Sequence, residues 1–167
     1  NQLRNWNIEF IQGDILNKGL INKYFKNAHI VHHLAGVTSV PKTKSEATEE
    51  QDKKIRCVAE EGTNNILEAV GKNCKIIFPS THVIFEGTDK VKLDIEENDE
   101  TKPILSYSLS KSINEKQIKE SGKNYVILRL GSVYGYSTDS MRVDIMPNLF
   151  SKIASQNGTL KLFAGGR

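Results

Sequence analysis

The chain has 167 residues, a length that suits one domain of ordinary size. Its 38% apolar and 26% charged residues can build one buried core, which excludes a disordered chain. The net charge of +3 comes from positive charges that are spread along the chain, and this argues against a nucleic-acid-binding protein.

Strand-like and helix-like patterns alternate along the chain. Apolar runs bounded by turn residues predict strands over 8–11, 29–34, 75–78, 125–130 and 160–163. Apolar positions at helical spacing predict helices over 16–25, 46–70, 104–121 and about 144–156. This alternation predicts an α/β fold, a doubly wound parallel sheet of the Rossmann type. The chain starts close to its first strand and stops just after its last, so we expect the sheet to be incomplete at both ends.

In a doubly wound sheet, ligands bind beyond the carboxyl ends of the strands. Four segments of this chain stand at such ends: 13–14, 34–36, 80–81 and 130–132. These are the positions where we expect cofactor and substrate contacts.

Tyr107 and Lys111 form a Tyr-x-x-x-Lys pair on the predicted helix over 104–121. Four residues make about one helical turn, so both side chains share a face. A free phenol has a pKa near ~10, and a neighbouring ammonium lowers it, so that tyrosine exchanges a proton with a substrate hydroxyl near neutral pH. The competing interpretation is a solvated helix with a packed tyrosine.

Other polar residues have a functional and a structural interpretation. Thr81 follows a predicted strand, where its hydroxyl can hydrogen-bond a substrate alcohol or cap a turn. Asp14 follows a predicted strand, where it is either a ligand contact or a turn residue. His32 and His33 are expected to be buried or capping histidines, and Arg129 is expected to form a structural ion pair.

Seven segments together resemble the extended short-chain dehydrogenase/reductase family, which includes NAD-dependent sugar epimerases and dehydratases. They occur in the family's order and cover nearly the whole chain. The segments are 13–15, 33–36, 62–69, 80–87, 97–115 with its Glu97, Pro103, Tyr107, Lys111 and Glu115, 128–135, and 163–167.

The resemblance implies a role for each matching residue. It implies a catalytic set of Thr81, Tyr107 and Lys111, with NAD as the cofactor and NADP as an open alternative. The implied cofactor-binding residues are Asp14, Ile15, Leu34, Ala35, Gly36, Lys111 and Leu130, and the implied substrate-binding residues are Thr38 and Ser132. It also implies a partial dinucleotide-binding domain over 1–167, in which residues from about 132 to 167 are the first part of the substrate-binding region.

Four departures from the family pattern qualify these expectations. The chain contains no G-x-x-G-x-x-G phosphate loop, so we expect this chain alone to bind NAD poorly and to be inactive. Ala59 and Ser132 each stand where the family often has Asn. His82 and Val83 stand where sugar dehydratases tend to have Asp-Glu, which argues against dehydration.

The leading hypothesis is an NAD-dependent nucleotide-sugar epimerase-type oxidoreductase. The first alternative is a nucleotide-linked keto-sugar reductase, because segment 80–87 is similar to the corresponding stretch of dTDP-4-dehydrorhamnose reductases. The second alternative is a non-catalytic Rossmann-fold binding subunit.

The expected partners follow from the same patterns. We expect a nucleotide-sugar substrate, no nucleic acid and no membrane, because no apolar run approaches the ~20 residues that cross a bilayer. Cys57 and Cys74 lack metal-ligand spacing, so we expect no metal and no disulfide framework. A cytoplasmic location is expected. The resemblance further implies a homodimer through the predicted 46–70 and 104–121 helices.

Overall fold

The computed structural model describes residues 6–37, 48–89, 92–138 and 141–162. In chain order its elements are α1 (Lys18–Phe25), β1 (Ile30–His32), α2 (Glu49–Ala69), β2 (Lys75–Thr81), a 3-10 turn (His82–Phe85), α3 (Ser106–Glu120), β3 (Asn124–Leu130) and α4 (Met146–Ser155). Every predicted helix is present, and its bounds lie within three residues of the expected ones. The alternation of strands and helices confirms the α/β, Rossmann-type fold, of which this sheet is a part.

Within the described residues the sheet has three strands, in the order β1-β2-β3. β1 and β2 pair in parallel, with Val31 opposite Ile76 and His32 opposite Ile77. The expected strands over 8–11 and 160–163 were wrong where the structure describes them: residues 8–11 and 160–162 form no strand. A strand is defined by ladder hydrogen bonds to a neighbour, and an apolar run without such a neighbour has nothing to pair with.

One core lies between the helices and one face of the sheet. Val31, Ile76 and Phe78 project from that face because side chains two residues apart in a strand share a side. The helices contribute Ile21 from α1, Ile66 from α2 and Ile118 from α3, while Val70, which caps the end of α2, and Cys74 complete the cluster. The residues that line this core are therefore the same ones that fix the helices over β1 and β2.

Helix α2 runs through Gly62 without interruption. Thr48 begins the helix by accepting a hydrogen bond from the Gln51 N–H, as an N-cap residue should. A Cβ on Gly62 would lie 2.9 Å from the Ile15 side chain, so the glycine makes room for the loop before α1. The Asn65 amide then donates to the Ile15 carbonyl over 3.1 Å. Gly62 is thus a close-approach residue.

Strand β2 is longer than the sequence predicts, because it continues through Pro79 and Ser80 to Thr81. Proline lacks the N–H that a ladder needs. The partner strand β1 ends opposite Ile77, so Pro79 lies beyond that pairing. The extension carries Thr81 to the last position of the strand.

The chain divides into two compact units, residues 1–129 and 130–167. In the second unit the Asn148 side chain accepts from the Gly135 N–H over 3.2 Å and donates to the Arg142 carbonyl over 2.8 Å. Arg142 also pairs with Asp144 over 2.8 Å. None of the α4 residues is buried.

Candidate functional site

The site is built where α3 crosses the carboxyl end of β2. The Lys111 ammonium donates a hydrogen bond to the Pro79 carbonyl over 2.8 Å. It also lies 4.4 Å from the centre of the Phe78 ring, a cation–π distance. Both contacts are to β2, so the structure places Lys111 within a few residues of Thr81 along that strand.

Tyr107 stands one helical turn before Lys111 and is half-buried. The Lys111 ammonium lies 6.0 Å from the centre of the Tyr107 ring, so the phenol and the ammonium share one face of α3, as their spacing predicts. Tyr107, Lys111 and the β2 contacts thus form one cluster within the first unit.

Thr81 is buried at the end of β2, where it also begins the 3-10 turn. Its Oγ1 accepts a hydrogen bond from the Val83 N–H over 3.2 Å. A hydroxyl that accepts still has its own proton to donate. The structural role and the role expected from the resemblance are therefore compatible at this residue.

The ammonium group of Lys111 is largely shielded from solvent. Burial lowers the pKa of Lys111, because the ammonium loses water that would stabilise its charge. The hydrogen bond to Pro79 and the Phe78 ring replace part of that lost solvation. A lysine held in this way keeps a fixed position beside Tyr107.

His33 is buried beneath the same cluster, which confirms its expected structural place. Its Nε2 lies 2.8 Å from the Thr63 hydroxyl, and its ring packs on Phe78 with centroids 5.3 Å apart. Burial, and then the positive charge of Lys111, lower its pKa to about 4. The imidazole is therefore neutral at neutral pH. His32, by contrast, is exposed at the end of β1.

The ion pair expected for Arg129 is confirmed. Its guanidinium donates to the buried Glu115 carboxylate over 2.8 Å and to the Glu97 carbonyl over 2.8 Å, and it lies 5.4 Å from the Phe85 ring centre. Burial alone raises the pKa of Glu115, but the hydrogen bonds and charge of Arg129 outweigh burial, so the pKa lies below its usual range. Glu115 is one turn beyond Lys111, and this pair fixes the helix to β3.

Ser80 lies beside the same carboxylate. Its buried Oγ has no hydrogen-bond partner of ordinary geometry among the residues that the structure describes. Ser80 nevertheless contributes to the lowered pKa of Glu115. The Ser80 hydroxyl therefore lies close to the Glu115 carboxylate without a well-formed hydrogen bond.

A cavity of about 270 Å³ lies between α1, the turn before it and the end of β1. Four of the expected cofactor-binding residues line it together: Asp14, Ile15, Leu34 and Ala35. Apolar side chains from α1 form much of the remaining wall, among them Tyr24 and Phe25. A flat aromatic ring such as a nucleobase suits a wall of this composition with a carboxylate at its rim.

Asp14 has the turn role that the sequence left open. Its Oδ1 accepts from the Leu16 N–H over 2.9 Å, and its carbonyl accepts from the Asn17 N–H over 3.0 Å. A carboxylate has two oxygens, so the turn occupies one side of the group. The geometry allows both interpretations of Asp14.

Gly36, Leu130 and Ser132 are the other expected site residues that the structure describes. Gly36 is exposed just past Ala35 and does not line the cavity. Leu130 ends β3, and Ser132 is exposed in the second unit. Thr38 lies outside the described residues.

Glu86 is a capping residue that sequence reasoning missed. Its Oε1 accepts hydrogen bonds from the Ile104 and Leu105 N–H groups, each over 2.7 Å, and from the Ser108 hydroxyl. Capping signals in sequence are local, with donor and acceptor about three residues apart. A cap supplied from 18 residues away leaves no such pattern.

The residues that the structure describes contain no helix that is both long and apolar enough to pass through a bilayer. They also contain no group of three or more His, Cys, Asp or Glu residues placed to hold a metal ion.

Known proteins resemble this chain along most of its length. A protein of Methanocaldococcus jannaschii, provisionally named a UDP-glucose 4-epimerase, is 33% identical over 138 residues, which cover 78% of this chain and 43% of that protein. The UDP-glucose 4-epimerase structure from Thermotoga maritima, solved with UDP-glucose, matches with a TM-score of 0.75 at 20% identity, covering 96% of this chain and 53% of that one.

A UDP-glucose 4-epimerase from Brucella ovis, solved with NAD, has a TM-score of 0.64 and 26% identity over 79% of this chain and 41% of that chain. Other matched structures contain NAD, and one contains NADPH. The chain thus spans about half the length, or less, of these proteins. The family model of the RmlD substrate-binding domain matches residues 4–164, nearly the whole chain. The chain therefore belongs to the RmlD substrate-binding domain family, within the extended short-chain dehydrogenases/reductases.

Proposed function

We propose that this chain is part of an NAD-dependent nucleotide-sugar epimerase-type oxidoreductase that acts on a sugar hydroxyl. The observation that supports this most is the placement of Lys111, which contacts the end of β2 and shares a helix face with Tyr107. That placement gathers a phenol, an ammonium and the end of the strand that carries Thr81. Relatives of the family act on UDP-glucose by name, which favours a nucleotide sugar as substrate.

Tyr107 is the proposed proton acceptor. The Lys111 ammonium favours the phenolate form of the neighbouring phenol, and its desolvated position strengthens that electrostatic effect. The Thr81 hydroxyl, which accepts from Val83 N–H, donates a hydrogen bond to the sugar oxygen and holds that oxygen toward Tyr107, which takes the proton of the sugar hydroxyl. NAD, when bound, supplies the hydride acceptor.

Asp14, Ile15, Leu34 and Ala35 are the proposed adenosine-side contacts, because they line one largely apolar cavity. Lys111 has two further N–H donors besides the one on Pro79, and we assign one of them to a cofactor ribose. Gly36 and Leu130 remain proposed cofactor contacts from the family pattern, as Thr38 and Ser132 remain proposed substrate contacts. The proposed substrate-binding region starts at about residue 132.

The test uses the complete protein, its Tyr107→Phe variant and UDP-glucose with NAD. Phenylalanine keeps the ring packing but cannot exchange a proton, so turnover should fall by about 10²-fold or more while NAD affinity stays within about twofold. Tyr125→Phe is the control, because that tyrosine is exposed near the start of β3. Near-normal turnover of the Tyr107 variant would reject the catalytic proposal and favour a binding subunit.

A keto-sugar reductase is the second candidate, and the match to the RmlD family model favours it. The two activities differ in their cofactor balance. An epimerase returns its cofactor to the starting state in each turnover, whereas a reductase consumes one reduced nicotinamide per product. Stoichiometric loss of NADH or NADPH absorbance with a nucleotide-linked keto-sugar would identify the reductase.

We also propose that the complete protein forms a homodimer through α2 and α3. The dimer is proposed from the family resemblance. Within the chain the two helices form one paired surface, since Asn114 donates to the Ala59 carbonyl and Gln117 donates to the Glu60 carbonyl. Light scattering of the complete protein measures this directly. A monomeric mass would reject the dimer without bearing on the catalytic proposal.

A further inference from the structure

The turn that follows Thr81 and the start of α3 are joined by one carboxylate. Glu86 lies just beyond the 3-10 turn, and its Oε1 receives the N–H groups of Ile104 and Leu105 and the hydroxyl of Ser108. The three donors surround Tyr107 in sequence, with Leu105 two residues before it and Ser108 one residue after it. Glu86 therefore holds the helical turn that contains the proposed proton acceptor.

The backbone reinforces the same junction. The Lys102 N–H donates to the Ile84 carbonyl, and the Gly87 N–H donates to the Lys102 carbonyl, each over 2.9 Å. A Cβ on Gly87 would lie 2.6 Å from the Lys102 carbonyl oxygen, so only glycine allows this approach. The segment after Thr81 and the segment before Tyr107 are thus tied at several points.

Helix α3 also lacks a cap of its own. Its N-cap position is Leu105, whose side chain makes no capping hydrogen bond. Unpaired N–H groups at a helix start favour a nearby negative charge. Glu86 supplies both the acceptor oxygen and the charge from outside the helix.

We propose that Glu86 is a positioning residue that sets how the Tyr107 phenol approaches the Thr81 hydroxyl. The inference rests on the proposed function, because it concerns the alignment of the proposed proton-handling groups. Glu86 acts through the first turn of α3 and through the turn after Thr81. Tyr107 and Lys111 share one helix, so their mutual spacing does not depend on Glu86, whereas the spacing of Tyr107 from Thr81 does.

The first test compares Glu86→Ala, Glu86→Gln and Thr48→Ala in the complete protein. Thr48→Ala removes the N-cap of α2 and serves as the matched loss of a helix cap away from the cluster. A small misplacement of reacting groups is costly, so E86A should lower kcat about tenfold or more, with the KM for the dinucleotide within about twofold. The pH dependence of kcat should stay unchanged, since Lys111 remains beside Tyr107.

The conservative variant separates positioning from general destabilisation. Glu86→Gln keeps an acceptor oxygen and should recover most of kcat. T48A should lower the melting temperature about as much as E86A does, yet leave kcat unchanged. If E86A loses no more kcat than T48A, the proposal is overturned. If E86A does not fold, Ser108→Ala removes one of the three hydrogen bonds and is measured in the same way.

The second test is a double-mutant cycle with Thr81→Ala. If Glu86 acts by aligning Tyr107 with Thr81, E86A should cost little further kcat once the Thr81 hydroxyl is gone. Additive losses would overturn the proposal. A Tyr107→Phe variant with normal turnover would instead reject the proposed function itself, and the two failures are thereby distinguished.

Discussion

The Lys111 ammonium lies 2.8 Å from the carbonyl oxygen of Pro79, a residue whose own backbone has no N–H to offer. The proline therefore contributes only an acceptor at the end of β2, and the lysine uses it. The same ammonium lies over the Phe78 ring, so neighbouring residues of one strand fix it from two directions. This arrangement sets the ammonium in place before any ligand arrives.

Replacing Lys111 by Met should impair proton transfer at neutral pH. Methionine keeps an apolar stem over Phe78 but removes the charge that favours the phenolate of Tyr107. The acid limb of the pH–kcat profile of the complete protein should move up by about one pH unit or more. Lys116→Met is the matched control, since Lys116 is exposed on the same helix. An unmoved profile in the Lys111 variant would contradict the electrostatic role.

The Glu115–Arg129 pair should behave as a buried ion pair. Glu115→Ala leaves the Arg129 guanidinium without its main acceptor and should lower the free energy of unfolding by about 3 kcal/mol. Glu115→Leu combined with Arg129→Met should recover much of that loss, because no unpaired charge remains. Urea unfolding of the complete protein measures both. Equal losses in the single and double variants would count against this account.

The same pair adds an acid dependence of defined sign. The pKa of Glu115 in the folded chain lies below the ordinary value of 4.5, so its contribution to stability is present above that value. It is lost as pH falls below 4.5 through the lower folded pKa. Glu115→Ala should therefore flatten the loss of stability in that acid range.

His33 should produce a loss of stability at milder acidity. Its pKa is about 4 in the folded chain against an ordinary 6.5, so the unfolded chain binds the extra proton first as pH falls. Stability should be full above about pH 6.5 and fall by about 3 kcal/mol toward pH 4, with no further change from this group below that. His33→Asn should remove this slope, and the exposed His29→Asn should keep it. A slope that survives in the His33 variant would assign it to other groups.

Local patterns predicted the elements that have partners within the chain. The predicted bounds of α2 and α3 are close to the observed ones because apolar spacing and caps act over a few residues. Residues 8–11 and 160–163 carry the same apolar pattern as the true strands, yet a strand also needs a neighbour, which a local pattern does not contain. The length of β2 was underestimated because Pro79 normally ends a strand, whereas here it lies past the pairing with β1 and the strand continues.

The site shows the same division between local and distant information. The shared face of Tyr107 and Lys111 follows from helix geometry alone, and the structure has it. Arg129 was expected to pair, but its partner Glu115 is 14 residues away and could not be named from spacing. The capping role of Glu86 could not be predicted, because its three hydrogen-bond donors belong to a distant segment of the chain. The sequence allowed a functional and a structural interpretation of Asp14 and of Thr81. Both residues make the turn contacts that the structural interpretation predicts.

Helix α2 contacts several separate parts of the first unit. Its middle turns accommodate Ile15 beside Gly62, hold the imidazole of His33 through Thr63, and offer carbonyls to the amides of α3. Helix α2 thus contacts both the loop beside the proposed adenosine cavity and the helix that carries the phenol, and it fixes the position of each. Substitutions in these middle turns, unlike the loss of the N-cap at Thr48, should therefore change cofactor affinity and turnover together.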